Sequence, residues 1–222
     1  MIDAVVFDLD GLLVDSEPVW FRVRTEIFSR YGLPWTEDDQ KALMGRNTQA
    51  WIDYGVEKLG GRLGPDAYKE EVLHGMVNAY RTGHVQLMPG AREAIEFCAV
   101  RVPLGLASGS PSVLIDAALE ANGWAAVFRE KLSSDHVPHG KPAPDSYLEV
   151  LRRLAVPPAN AVVVEDSGSG ILAGKAAGAY VVAVPNPALM PPLEAMRAAD
   201  VVLESLHLLP ERLADSLRRR DG

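Results

Sequence analysis

Two aspartates one residue apart follow an apolar run, Val5-Val6-Phe7-Asp8-Leu9-Asp10-Gly11. In a strand, residues i and i+2 share a face, so Asp8 and Asp10 are expected side by side where a strand opens into a loop. Carboxylates that close raise each other's pKa, and groups whose pKa values are driven apart can divide the work of nucleophile and proton donor. A metal ion can neutralise such a pair, and carboxylates with room for water suit Mg²⁺. Three more polar groups follow in order: Ser108-Gly109-Ser110, Gly140-Lys141-Pro142 and Glu165-Asp166-Ser167. Between metal, hydroxyl and ammonium a phosphoryl group could be held, its oxygens countered by positive charge. One carboxylate could then attack phosphorus to form an acyl phosphate, while the other protonates the leaving oxygen and later activates water. Each group alone has a plainer reading as a turn, a helix cap, a loop lysine or an acidic rim. Their joint order favours the chemistry.

Those groups need a frame that brings them together. Short runs, apolar on both parities, read as buried parallel strands: residues 4–7, 102–107, 161–164 and 180–184, with 200–203 as an edge strand. Helical patterns alternate with them at 90–99, 111–121, 144–154 and 169–177. For the second of these, Ser110 is the expected N-cap and Pro111 the first helical residue. The predicted fold is therefore α/β, a Rossmann-like three-layer parallel sheet core. Ligands of such sheets bind in the crevice beyond the strand ends, where Asp8, Asp10, Ser108 and Glu165-Asp166 fall. Residues 16–86 break the rhythm, with apolar residues at helical spacing through Trp20, Val23, Ile27 and Tyr31, and again at 51–59 and 68–77. They read as an inserted helical cap domain (16–86), leaving 1–15 and 87–222 as the catalytic core. A lobe departing from the strand that carries Asp8 and Asp10 would sit over them as a lid.

Bulk properties narrow the partners. Apolar residues make up 48 % of the 222, enough for a normal buried core, and the formal net charge is -8. That charge disfavours nucleic acid, whose backbone wants clustered Lys and Arg. A small phosphorylated metabolite stays open, because a metal and one or two local cations can reverse the field inside a cleft. Cys98 is the single cysteine, set in a helical pattern, and reads as packing. No signal peptide and no apolar stretch of about 18 residues is evident. The expectation is a cytoplasmic, monomeric protein without a membrane partner.

With these motifs in view, the sequence resembles the haloacid dehalogenase-like hydrolase superfamily, in the group with a helical cap after the first motif. The resemblance rests on Asp8-Leu9-Asp10-Gly11-Leu12-Leu13-Val14-Asp15-Ser16-Glu17-Pro18, Leu106-Ala107-Ser108-Gly109-Ser110, Gly140-Lys141-Pro142-Ala143-Pro144-Asp145 and Val164-Glu165-Asp166-Ser167-Gly168-Ser169-Gly170. It implies Asp8 as nucleophile and Asp10 as general acid/base, with Asp10 also giving its backbone carbonyl to Mg²⁺. Asp166 would ligate the metal through its side chain, and Glu165 nearby or through water. Ser108, the Gly109 amide and Lys141 would hold the phosphoryl group, and the cap would read the substrate.

Within that group the resemblance is to sugar-phosphate phosphatases and to β-phosphoglucomutase. A mutase must hold a bisphosphate and needs a second cationic site in its cap. Trp20 stands where the mutases carry a histidine on the first cap helix. Thr48 stands where their Gly-x-x-Arg pattern has arginine, with Arg46 as a candidate substitute and Lys69 as a remote one. Ser16-Glu17-Pro18-Val19-Trp20 resembles the phosphatases acting on hexose, deoxyhexose or hexitol phosphates, so phosphatase is the favoured reading. Glu17, Trp20, Arg46, Trp51 and Lys69 are the candidate cap contacts. Mutase activity and a binding protein without turnover remain the alternatives.

Overall fold

The structure, a computed structural model, describes residues 2–43, 48–187 and 189–217. Its strands in chain order are β1 (Ala4–Phe7), β2 (Val14–Asp15), β3 (Gln86–Leu87), β4 (Leu104–Ser108), β5 (Phe128–Ser133), β6 (Ala161–Glu165), β7 (Tyr180–Ala183) and β8 (Val201–Val202). The α-helices are α1 (Glu17–Arg30), α2 (Glu37–Leu43), α3 (Thr48–Lys58), α4 (Pro65–Arg81), α5 (Ala91–Ala99), α6 (Ser112–Ala121), α7 (Asp145–Leu154), α8 (Gly168–Ala176), α9 (Leu193–Ala198) and α10 (Leu209–Leu213).

Six strands form one parallel sheet in the order β5-β4-β1-β6-β7-β8. β1 is central, with Val5 opposite Leu104 on one side and Val162 on the other. From there the chain builds outward first through β4 and β5, then through β6, β7 and β8, so the order reverses beside β1. Alternate β1 residues feed two cores, as a period of two requires. Val5 and Phe7 pack with Ala94 and Ile95 of α5 and Leu114 and Ile115 of α6. Ala4 and Val6 pack with Tyr147 and Val150 of α7 and Ile171 of α8. This is the Rossmann-like three-layer α/β arrangement, with the apolar runs forming the sheet as the periodicity predicts.

The helical cap is inserted between β2 and β3. Those two short strands pair antiparallel, Val14 with Leu87 and Asp15 with Gln86, so the chain enters and leaves the cap at one place. Inside the cap, Trp20, Phe28, Trp35, Trp51 and Tyr68 form an aromatic centre with ring centroids 4.7 to 6.1 Å apart. Such contacts add about 0.5–1.5 kcal/mol per pair beyond area burial. The cap rests on the core where α4 packs against α6. It touches it again where the Thr48 hydroxyl, at the start of α3, donates to Asp135 (3.0 Å).

Two differences from the sequence reading concern local structure. Strand β5, Phe128-Arg129-Glu130-Lys131-Leu132-Ser133, was not anticipated, because three consecutive charged residues mask it. As an edge strand it leaves Arg129 and Lys131 exposed while Phe128 and Leu132 pack inward. Ser110 is not the cap of α6; Pro111 takes that place and the helix starts at Ser112. The Ser110 hydroxyl is occupied elsewhere, on Asp10 (2.7 Å). Cys98 is fully buried and burial pushes its thiol up to about 12, as a packing residue requires. Among the described residues no helix is long and apolar enough to cross a membrane.

Candidate active site

Asp8 follows β1 directly, and its amide donates to the Val164 carbonyl (3.1 Å), which locks it against the end of β6. The neighbouring strand ends bring in the other groups. Lys141, from the loop before α7, is the hub. Its ammonium donates to Asp8 Oδ1 (2.5 Å), Glu165 Oε1 (2.6 Å) and the Ala107 carbonyl (3.0 Å). Only 9 % of its side chain is exposed, and burial of a bare ammonium there would be prohibitive without those partners. Burial works against its charge, but Asp8 and Glu165 outweigh it and hold its pKa well above the ordinary lysine value.

Glu165 is fully buried and fully engaged. Its Oε1 also accepts from the Tyr147 hydroxyl (2.6 Å), while Oε2 accepts from the Ser167 amide (3.0 Å) and hydroxyl (2.9 Å). Ser167 caps α8 by accepting from the Gly170 amide (3.1 Å). A Cβ on Gly170 would overlap the Glu165 carboxylate, so glycine is needed for this close approach. The Tyr147 ring also lies beneath the Lys141 ammonium, 4.9 Å from its centroid. Glu165 thus spends its oxygens on fixing Lys141 and the α8 start.

Asp166 differs. It is buried, and its Oδ1 has no hydrogen-bond partner. An orphaned carboxylate oxygen in such a place asks for a cation. Asp8, Glu165 and Asp166 each offer an oxygen, all within 4.8 Å of one another, and could hold a divalent ion. An all-oxygen donor set suits a hard one. Gly11 faces the same group at φ +84°, where a Cβ would both strain the backbone and collide with the Asp166 carboxylate.

Asp10 is held by hydroxyls. Ser16 donates to its Oδ1 (2.6 Å), Ser110 (2.7 Å) and Ser108 (3.1 Å) to its Oδ2. Ser16 stands at the N-cap of α1 yet makes no capping bond, since its hydroxyl serves Asp10 instead. The Ser108 hydroxyl also accepts from the Ser110 amide (2.9 Å), and Gly109 between them is exposed.

The structure therefore brings Asp8, Asp10, Ser108, Lys141, Glu165 and Asp166 to one rim. The cap candidates scatter more widely. Glu17 is half-buried next to Ser16, close enough to Asp10 to feel its charge. Trp20 and Trp51 are buried in the cap, 6.0 Å apart, with the Arg24 guanidinium over both rings. Lys69 lines a groove between α4 and α6 with Leu73, Val77 and Val113. Arg46 lies outside the described residues. Ser16, Ser110 as a partner of Asp10, Tyr147 and Gln40 were not singled out as site residues from sequence. Their partners are 6 to 100 residues away, and no local pattern marks them.

Burial raises the Asp8 carboxyl to about 7, with Lys141 opposing and Glu165 and Asp10 adding to the rise. Burial, then Glu165 and Asp8, also push Asp166 well up. Both are ordinary carboxylates, near pKa 4, when unfolded, so the metal-free fold binds extra protons between about pH 4 and 7. Their contribution to stability is complete below about pH 4 and is lost as pH rises through the folded values, about 7 for Asp8. A divalent cation held by these carboxylates would take the place of those protons. The thermal midpoint shift on adding Mg²⁺ to chelator-treated protein should therefore grow from about pH 5 to 8. A shift independent of pH would contradict this assignment.

The family profile described as "Hydrolase: haloacid dehalogenase-like hydrolase" matches residues 2–178. The "Phosphorylated carbohydrates phosphatase" of Thermotoga maritima is 35 % identical over 178 residues, covering 80 % of this chain and 82 % of the relative. "Hexitol phosphatase B" of Escherichia coli K12 is 31 % identical over 188 residues, covering 83 % and 84 %. Among solved structures, CbbY from Rhodobacter sphaeroides in complex with phosphate superposes with a TM-score of 0.82 at 27 % identity, covering 94 % of this chain and 96 % of that one. On the strength of that profile match, the shared fold and the strand-end carboxylates, the chain belongs to the haloacid dehalogenase-like hydrolase family.

Proposed function

We propose that this protein is a Mg²⁺-dependent phosphatase acting on the monophosphate ester of a sugar or polyol through an aspartyl-phosphate on Asp8. Residues 1–15 and 87–222 form the catalytic core in this reading, and 16–86 the substrate-reading cap. One observation carries it: Lys141 bridges Asp8 and Glu165 beside an unpartnered oxygen of Asp166. An ammonium beside a carboxylate and an unpartnered oxygen supports a role in holding a phosphoryl group with a metal. Asp8, Asp166 and the Asp10 carbonyl would hold the metal, with Glu165 behind them or acting through water. When bound, the cation offsets the negative charge of the carboxylates and phosphoryl oxygens.

The residues divide the reaction. Lys141, the Ser108 hydroxyl and the Gly109 amide bind the phosphoryl oxygens. An Asp8 carboxylate oxygen attacks phosphorus, the ester P–O bond breaks, and Asp10 gives its proton to the leaving alkoxide. Asp10 then takes a proton from water as that water attacks the acyl phosphate, freeing phosphate and restoring Asp8. The cap excludes bulk water during these steps.

Phosphatase is favoured over mutase by charge. Thr48 is neutral, and its hydroxyl is committed to Asp135. Glu17 puts a carboxyl at the cap edge near Asp10, an acceptor for substrate hydroxyls and a poor neighbour for a second phosphate. The names of the two phosphatase relatives point to the same substrate class. Phosphate release from a panel of hexose, hexitol and short polyol phosphates, with and without Mg²⁺, tests the proposal. Metal-dependent release from one ester class is expected. Tight binding with no turnover would make the chain a binder. Bisphosphate-dependent conversion of β-glucose 1-phosphate to glucose 6-phosphate would make it a mutase.

A further inference from the structure

We propose that Gln40 is a positioning residue that holds Glu17 at the cap edge as a hydroxyl acceptor for the substrate. The inference rests on the reading of Glu17 as a substrate contact and names what orients it. Gln40 Oε1 accepts from Arg24 Nη1 (3.0 Å) and from the Trp35 indole N–H (3.2 Å). Guanidinium and indole are donors only, so this pair fixes which end of the amide is oxygen. The NH₂ end must face the other way, and there Nε2 donates to Glu17 Oε2 (2.7 Å). Glu17 Oε1 makes no hydrogen bond to the described residues, so that oxygen is left for a ligand.

The support behind Gln40 is rigid. Arg24, Trp35 and Gln40 are all buried, and Arg24 lies 4.6 Å from the centroid of the Trp20 ring and 5.6 Å from that of Trp35. Helix α2 begins with a reciprocal cap: Asp39 Oδ2 accepts from the Thr36 amide (2.7 Å) and hydroxyl (2.7 Å), and the Asp39 amide donates to Thr36 Oγ1 (3.2 Å). Asp39 Oδ1 then accepts from Tyr54 (2.7 Å) and Lys58 (2.8 Å) of α3, which pins α2 in place. Gln40 is the next residue.

The amide between Arg24 and Glu17 also has an electrostatic purpose. A direct Arg–Glu pair would cancel the carboxylate's charge and use both its oxygens in a fork. A neutral amide fixes the carboxylate through one oxygen and leaves its charge for the cleft. Burial and the nearby Asp10 push the Glu17 carboxyl up, and the Gln40 donor opposes that rise.

Steady-state kinetics of the full chain with Mg²⁺ tests the idea, using glucitol 6-phosphate, whose polyol chain offers hydroxyls to Glu17, and acetyl phosphate, which has none. Gln40→Glu keeps the acceptors that Arg24 and Trp35 need but replaces the donor to Glu17 with a second carboxylate, so Glu17 is repelled where it had been held. Its kcat/KM for the hexitol ester should fall by at least about tenfold, mainly through KM, with acetyl phosphate within about twofold of wild type. Adding Glu17→Gln to Gln40→Glu restores an amide–carboxylate pair and should recover part of the loss, the remainder reflecting the charge that residue 17 no longer brings to the cleft. Equal losses on both substrates, no loss on either, or no recovery in the double variant would overturn the inference. If wild-type protein itself shows no preference for the hexitol ester, the reading of Glu17 has failed, and the inference falls with it.

Discussion

Asp8→Asn should lower phosphate release by on the order of 10⁴-fold or more on every ester that the wild-type protein hydrolyses. Asparagine keeps the shape of the side chain and can still accept from Lys141, but its amide has no anionic oxygen to attack phosphorus. The fold should survive. Burial is the main cause that raises Asp8, with Glu165 adding to it, and asparagine removes that buried charge while still accepting from Lys141, so the metal-free variant should melt no lower than wild type at about pH 8. Beryllofluoride, which stands in for a phosphoryl group on a carboxylate, should stabilise wild type with Mg²⁺ and leave the variant unaffected. Substantial turnover by the variant, or beryllofluoride binding to it, would remove Asp8 from the nucleophile's role.

Asp10→Asn is expected to behave differently. General acid–base catalysis is worth about 10²- to 10⁴-fold, and the loss should depend on the leaving group. A sugar or polyol alkoxide needs the proton, so the full loss should appear there. Acetyl phosphate, whose leaving group is stable without it, should transfer its phosphoryl group to Asp8 at close to the wild-type rate and then stall. Phosphorylated protein should therefore accumulate, visible by mass spectrometry after rapid quench. Identical losses on both esters without accumulation would mean that Asp10 acts only through structure. The three hydroxyls on Asp10 offer a milder comparison, because Ser16→Ala leaves the carboxyl in place and removes one of its three holders.

Much of the core site was legible in the sequence, because most of its residues stand at strand ends where open α/β sheets bind ligands. Asp8, Asp10, Ser108 and Asp166 each follow or end an apolar run, Lys141 is framed by Gly140 and Pro142 in a loop before a helix, and the structure gathers them. Helix periodicity likewise announced an insertion after β1. What escaped notice is non-local. Tyr147 reads as one apolar position on α7, yet its hydroxyl holds Glu165. Gln40 sits in a polar stretch, and its partners Arg24 and Glu17 are 16 and 23 residues away. The pairs β2–β3 are two residues long, too short for any periodic signal. Trp20 and Trp51, candidate cap contacts from sequence, are buried in the cap beside a buried arginine, an arrangement that only the folded cap reveals.

The antiparallel pairing of Val14–Asp15 with Gln86–Leu87 has a consequence for protein engineering. Because both ends of the intervening segment meet at one clasp, a different helical segment that keeps Ser16, the holder of Asp10, could be grafted there without rerouting the reactive half of the molecule. Recognition and reactivity are, in that sense, separately exchangeable parts.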